Sequence, residues 1–357
     1  MRSLLPMKFL MGVFFAVLWI NESEVVLAQS NGDNDTKDYI TWDDLTVGTN
    51  GFRVRDNYQK RVIVVDQNGG GDSETVQGAV DMVPIHNADR VKIHILPGVY
   101  SEKVHIPGSK PYISFIGDPS KASATVITWH DKASDRDNNG GTVGTWNSAS
   151  VTVESDYFCA AGNSVVDQAN GGEGSQAVAL RIAGDKAVFY KTMFIGSQDT
   201  LLDENGTHYF LQCFIQGAVD FIFGYARSLY KECTISVTGY PYSITAHSRN
   251  SANEDTGFSF VNCTVSGDGP IYLGRAWGDY SRVIYSYCEF DIDVLPEGWS
   301  DWGIPSRDST VVFGEYKCSG RGANRSGRVG WSKDLSYMEA KPFLDSKFIS
   351  GNLWLKL

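Results

Sequence analysis

Two aspartates stand at equivalent places in a repeating pattern, and their spacing fits proton-sharing chemistry. Asp199 lies 7 residues after Thr192, and Asp220 lies 7 residues after Cys213. If those segments stack in register, the two Cα atoms are about 5 Å apart. Two carboxyls so close cannot both ionise freely, so one proton is retained. Such a pair supplies one nucleophile or base and one acid. Gln198 precedes Asp199, and Gln176 lies 22 residues before Gln198. Amide N–H groups facing the carboxyls would stabilise a developing oxyanion. Arg275, in Leu273-Gly274-Arg275-Ala276-Trp277, can hold one carboxylate ionised through a bidentate contact. Trp277 offers a flat face to a sugar ring. Aspartates are also common in exposed turns, and glutamines can stack for structural reasons, so spacing alone leaves both readings open.

The elements that must position these residues form a repeat. From Val91 onward, short β-branched and aromatic runs alternate with Gly, Asn, Asp and Ser turns. Six segments share an apolar pair, two spacers, a Cys or Thr, one spacer and a branched or aromatic residue. Their key positions are Thr192, Cys213, Cys233, Cys263, Cys288 and Cys318, with steps of 21, 20, 30, 25 and 30 residues. A repeat of this size built from strands and turns indicates a solenoid. About three short strands per turn fit an all-β, single-stranded right-handed parallel β-helix with coils about 4.8 Å apart. A β-sandwich with coincidental spacing is the competing reading.

Both ends of the chain depart from the repeat. Arg2, Lys8 and the apolar residues 9–20 read as a secretory signal peptide over residues 1–28, too short for a spanning helix. Residues 29–60 read as a polar lead-in, and residues 61–357 as one domain. Gly69-Gly70-Gly71-Asp72-Ser73 lacks a Gly-Lys-Ser/Thr ending and reads as a turn. Ser73 or Asp72 would then cap a short N-terminal helix over about residues 75–83, stopped by Pro84. Helical and loop structure returns from about Ser336.

Net charge is −11 and is unchanged by removing residues 1–28, which carry two bases and two acids. That argues against nucleic acid or an anionic membrane as partner, and it disfavours a strongly anionic polymer unless the binding groove is locally different. The six cysteines form no Cys-x-x-Cys pair and the histidines no His-x-x-x-His, so no metal site is expected. In an oxidising compartment the stacked geometry would permit a disulfide between any adjacent pair among Cys213, Cys233, Cys263 and Cys288. Buried free thiols are the alternative.

Five motifs resemble those of the pectin methylesterases (pectinesterases), in the family's order. They are Gly98-Val99-Tyr100-Ser101-Glu102, Gln176-Ala177-Val178-Ala179-Leu180 and Gly196-Ser197-Gln198-Asp199-Thr200-Leu201, then Gly217-Ala218-Val219-Asp220-Phe221-Ile222-Phe223-Gly224 and Leu273-Gly274-Arg275-Ala276-Trp277. The similarity runs from about Val62 to Trp354. It implies a β-helix that demethylesterifies homogalacturonan in the cell wall, without metal or organic cofactor. It implies Asp220 as nucleophile, Asp199 as acid then base, Gln176 and Gln198 as the anion hole, and Arg275 as the group orienting Asp220. Trp277, Val178 and Phe223 become substrate-binding positions. From the open set of cysteine pairs, the resemblance selects a Cys233–Cys263 disulfide. It further implies a secreted, monomeric glycoprotein with pectin as substrate and a proteinaceous inhibitor as a partner; the inhibitor-like pro-region that plant relatives often carry is not expected, because only about 30 residues separate the signal from the fold.

Leu202, Ala276, His247 and Thr192 depart from common family residues (Tyr, Pro, Gln and Cys), which bears on substrate preference and cysteine pairing. Rival readings fit less well. A retaining glycosidase would use two carboxyls at this spacing but leaves the glutamines unexplained. A serine esterase lacks its Gly-x-Ser-x-Gly, and a calcium-dependent lyase lacks its acidic cluster. A catalytically dead wall-binding protein would not need the full Asp, Gln and Arg set.

Overall fold

The computed structural model describes residues 39–47, 61–137, 139–167, 175–239 and 241–357. The signal-peptide expectation for residues 1–28 therefore lies outside the described residues.

Short extended runs wind into successive coils, and a complete coil contributes one strand to each of three sheets. Among the described residues these sheets hold 11, 8 and 8 strands, and every pairing is parallel. One coil runs Ala187–Tyr190, Met193–Ile195 and Leu201–Asp203, and the next begins at Thr207–Leu211. The key positions read from sequence fall in one column. The flanking pairs Met193↔Phe214, Phe214↔Thr234, Thr234↔Thr264, Thr264↔Glu289 and Glu289↔Ser319 put Thr192 and the five cysteines in register. Inside the solenoid, Phe189, Phe210, Tyr230, Phe260 and Tyr285 stack ring on ring at 4.5–4.8 Å between successive centroids. That is the coil spacing itself, so each aromatic packs on its counterpart one coil away.

The corner before each key position is a left-handed residue. Lys191, Gln212, Glu232, Asn262, Tyr287 and Lys317 have φ between 48° and 56°. A non-glycine residue there costs about 1–2 kcal/mol. The cost is offset by backbone pairing: the N–H groups of Lys191, Gln212, Glu232, Asn262 and Tyr287 each donate to a carbonyl of the next coil at 2.8–3.1 Å.

Five of the cysteines form a ladder of thiols, and Cys159 lies apart from it, opposite Val188. All six are free, so the expected Cys233–Cys263 disulfide is not formed. Along the column from Cys213 to Cys318 the Sγ atoms instead point at carbonyls of the preceding coil: Cys213 to Phe189 O at 3.3 Å, Cys233 to Phe210 O at 3.5 Å and Cys263 to Tyr230 O at 3.4 Å. The reason is directional. In-register side chains of parallel strands run parallel, which keeps their Cβ atoms near the strand spacing of about 4.8 Å, beyond the roughly 3.5–4.5 Å a disulfide accepts. Burial also pushes the Cys233 and Cys288 thiols up, away from the reactive thiolate. Alkylation of native protein should accordingly reach at most Cys318, the one cysteine that is not fully buried, while denatured, unreduced protein should take up label at all six. A Cys233–Cys263 peptide in a non-reduced digest would contradict this ladder.

The widened coil at residues 248–256 needs no crosslink, because Arg249 ties it down. Its guanidinium donates to Glu254 O at 2.7 Å, Ala252 O at 2.6 Å and Tyr280 O at 3.2 Å.

The N-terminal helix is Val76–Asp81, capped by Thr75 and not by Ser73 or Asp72. The Thr75 hydroxyl accepts from Gly78 N at 3.0 Å, while Glu102 accepts from the N–H groups of Val76 and Gln77. Ser73 is occupied with the Thr75 backbone. Val76, Ala79 and Val80 bury against the solenoid core. A C-terminal helix, Tyr337–Ala340, starts at a capping box made by Ser336 and Glu339.

Order begins earlier than the sequence suggested. Ile40–Thr41 pairs in parallel with Leu355–Lys356, so the two ends of the described chain join. Ile40, Leu45, Phe348, Ile349 and Trp354 then cover the outer face of the 11-stranded sheet. Buried Lys92 anchors the segment by donating to Asp43 O and Thr46 O. Part of the supposed lead-in thus belongs to the domain.

Candidate active site

Asp199 and Asp220 lie at the corner where each coil passes from the second sheet to the third. The pairings Met193↔Phe214, Gln198↔Val219 and Leu201↔Ile222 keep one 21-residue step across this corner. Asp220 is therefore stacked on Asp199, one coil further on. Both backbones are left-handed, with φ 66° and 47°, a conformation aspartate tolerates better than most residues. A register shift between Val219 and Ile222 against the following coil marks a bulge at Asp220. Bulges re-aim side chains and recur beside active sites.

Arg275 reaches Asp220 from two coils away. Phe223 pairs with Ala246 and Ala246 with Arg275, which places the arginine on the same sheet. Its Nε donates to Asp220 Oδ1 at 2.7 Å and its Nη2 to Oδ2, the bidentate contact the sequence allowed.

Electrostatics separate the two carboxyls. Burial pushes Asp199 well above the usual carboxylate range, and the neighbouring Asp220 charge pushes it further; Arg275 opposes both more weakly. Burial also raises Asp220, and the Arg275 hydrogen bond and charge offset only part of that rise. Asp220 thus ionises first and Asp199 keeps the proton.

Both aspartates open into a pocket of about 220 Å³ lined by Gln176, Gln198, Phe223, Arg275, Trp277 and, among others, Trp146 and Trp302. Gln176 and Gln198 come from neighbouring coils, since the N–H of Ala177 donates to the Gln198 carbonyl at 3.1 Å. Among the described residues no side-chain hydrogen bond engages either amide, which leaves their N–H groups available to a ligand.

Of the substrate-binding expectations, Trp277 and Phe223 line the pocket but Val178 does not. Val178 has no exposed surface and packs with Ala149, Leu202, Phe223 and Ala246 beneath Trp277. It therefore supports Phe223 and Trp277 from behind without reaching a ligand. Sequence reasoning missed Trp146 and Trp302. Trp146 lies 6.4 Å from Trp277 and is fixed by its indole N–H, which donates to Glu204 at 2.9 Å. Tryptophans in the polar runs Gly144-Thr145-Trp146-Asn147 and Ser300-Asp301-Trp302-Gly303 were the available signal.

A stacked, charge-split carboxyl pair with two free amides and aromatic walls suits ester hydrolysis on a sugar. Comparison with known proteins decides which. The pectinesterase family model matches residues 62–352. The chain belongs to the pectinesterase family. It is 55% identical to pectinesterase QRT1 of Arabidopsis thaliana, over 96% of each protein. Among solved structures it resembles the carrot pectin methylesterase, at 35% identity and TM-score 0.74 over 82% of this chain and 94% of that one. A pectin methylesterase from Aspergillus niger matches at 29% identity and TM-score 0.72, over 85% and 97%. This pectinesterase is accordingly a right-handed parallel β-helix and a carbohydrate esterase that hydrolyses methyl esters of pectin.

Proposed function

We propose that this pectinesterase cleaves the C6 methyl ester of homogalacturonan through an acyl-enzyme on Asp220. The observation that carries the reading is the bidentate grip of Arg275 on Asp220, stacked one coil from Asp199, whose carboxyl is pushed well above the usual carboxylate range by burial and the Asp220 charge. An Asp220 oxygen attacks the C6 carbonyl, and Gln176 and Gln198 donate to the tetrahedral oxyanion. As the C6–O bond breaks, the Asp199 proton passes to methoxide and methanol leaves. Asp199, now a carboxylate, takes a proton from water. The hydroxide adds to C6 of the mixed anhydride and Asp220 departs as carboxylate. The product acid then ionises, and both aspartates return to their starting states.

The same reading places the enzyme outside the cell, in the wall, working as a monomer, with a proteinaceous inhibitor as protein partner. The apolar run at residues 9–20 supports export.

Methanol release from highly methylesterified pectin by purified protein tests the activity. Gln176→Ala should lower kcat by about 10²–10³-fold, the usual loss for one oxyanion donor. Because a second amide remains, this variant should retain measurable turnover. An unchanged kcat would remove Gln176 from the anion hole.

A further inference from the structure

The flat faces of the Arg275 guanidinium are available to packing, because its edge is spent on Asp220. Two aromatic rings lie over it. The Trp302 ring centroid is 3.5 Å from the guanidinium carbon and that of Tyr242 is 4.9 Å away. Both are inside the roughly 6 Å over which an aromatic face attracts a cation.

Tyr242 is built into both coils that the ion pair joins. Its N–H donates to Ala218 O at 2.9 Å, two residues before Asp220. Its carbonyl accepts from Tyr272 N at 3.0 Å, three residues before Arg275. Its ring stands edge-on to Tyr272, at 5.7 Å. Trp302 is held differently. It adopts φ 65°, an uncommon conformation for a bulky side chain, and its N–H donates to Ser300, the residue paired with Arg275 on the next coil. Strain of this kind persists where surrounding structure enforces it, often at functional sites.

We infer that Tyr242, together with Trp302, is a positioning residue that holds the Arg275 guanidinium in its bidentate grip on Asp220. The inference rests on Asp220 being the nucleophile. A long arginine side chain has several rotatable bonds, and among the described residues the ring contacts and the carboxylate restrict this one to a single pose. Without the Tyr242 ring, Trp302 packs on the guanidinium alone, the guanidinium spends more time turned to solvent, and Asp220 loses part of the charge that keeps it ionised. The charged groups facing Asp220 are Asp199 and Arg275, and those facing the Tyr242 ring are Arg275 and the Tyr272 phenol, itself near Glu297 and Asp301. Trp302 also walls the pocket, so its loss would mix binding with positioning. Tyr242 is not a wall residue, which isolates the effect.

The test compares Tyr242→Leu with Tyr242→Phe in the full chain, using kcat, KM and the pH profile of methanol release. Tyr242→Leu should lower kcat by about 3- to 10-fold with KM little changed. It should also move the acid limb of the kcat profile upward by about half a pH unit, because a less firmly held Arg275 lets Asp220 protonate sooner. Tyr242→Phe keeps the ring and should match the parent in both respects. A Leu variant that melts like the parent with unchanged kcat and pH profile overturns the inference. So does a loss confined to KM, which would make Tyr242 a sugar contact, or a Phe variant as impaired as Leu, which would assign the effect to the hydroxyl. Full activity in Asp220→Asn would instead overturn the nucleophile assignment on which the inference stands.

Discussion

Asp220→Asn should cut methanol release by about 10⁴-fold or more, the scale seen when a nucleophile is removed from a preorganised site. The amide is nearly isosteric and its oxygen can still accept from Arg275 Nε, so the corner geometry should survive. What is lost is the carboxylate that forms the anhydride. Burial raises Asp220 against the ionised form, so a neutral amide at this place should not unfold the protein. Circular dichroism and the melting temperature check the fold, and methanol release checks the chemistry. Near-parental activity in a folded variant would end the acyl-enzyme mechanism.

Asp199→Asn should cost about 10²–10⁴-fold, the usual contribution of a positioned acid or base. It acts on both half-reactions, since the same carboxyl protonates methoxide and then deprotonates water. An ester with a better leaving alcohol bypasses the first role but not the second. With such a substrate the variant should accumulate the Asp220 acyl-enzyme, visible as a mass increase on the intact protein. The variant should also be at least as stable as the parent near neutral pH. Asp199 has a folded-state pKa raised above its unfolded value, so its contribution to stability is fully present below the ordinary carboxylate range and is lost as pH rises through the folded value. Asparagine undergoes no such loss. The two melting curves should coincide at low pH and separate, in favour of Asn, as pH rises. A variant less stable than the parent at neutral pH would mean that the ionised Asp199 is stabilised by contacts other than those described.

Much of this was legible because a solenoid writes its geometry along the chain. Thr192, Cys213, Cys233, Cys263, Cys288 and Cys318 mark one column in sequence and form one column in space. Asp199 and Asp220 share the same offset from that column, and the constant register across the corner brings them together. Neighbouring coils are the nearest packing partners, so spacing predicts contact. Where contact joins non-neighbouring segments, spacing was silent. Nothing in residues 39–47 signals that Ile40 would pair beside Leu355.

Side-chain direction was the other hidden quantity. The left-handed corners at Lys191, Gln212, Glu232 and Tyr287 carry no glycine to announce them, because inter-coil hydrogen bonds hold these residues there. The coil period, the stacked aspartates and the family chemistry were legible along the chain, because they depend on residue type and spacing. The folded structure was needed to show that the cysteine column stays as thiols, since parallel Cβ vectors do not converge. It alone turned Val178 under the pocket and set Trp146 and Trp302 into its wall. It alone brought Tyr242 over Arg275, because where a ring points is set by the corners and coils around it and not by its place in the repeat.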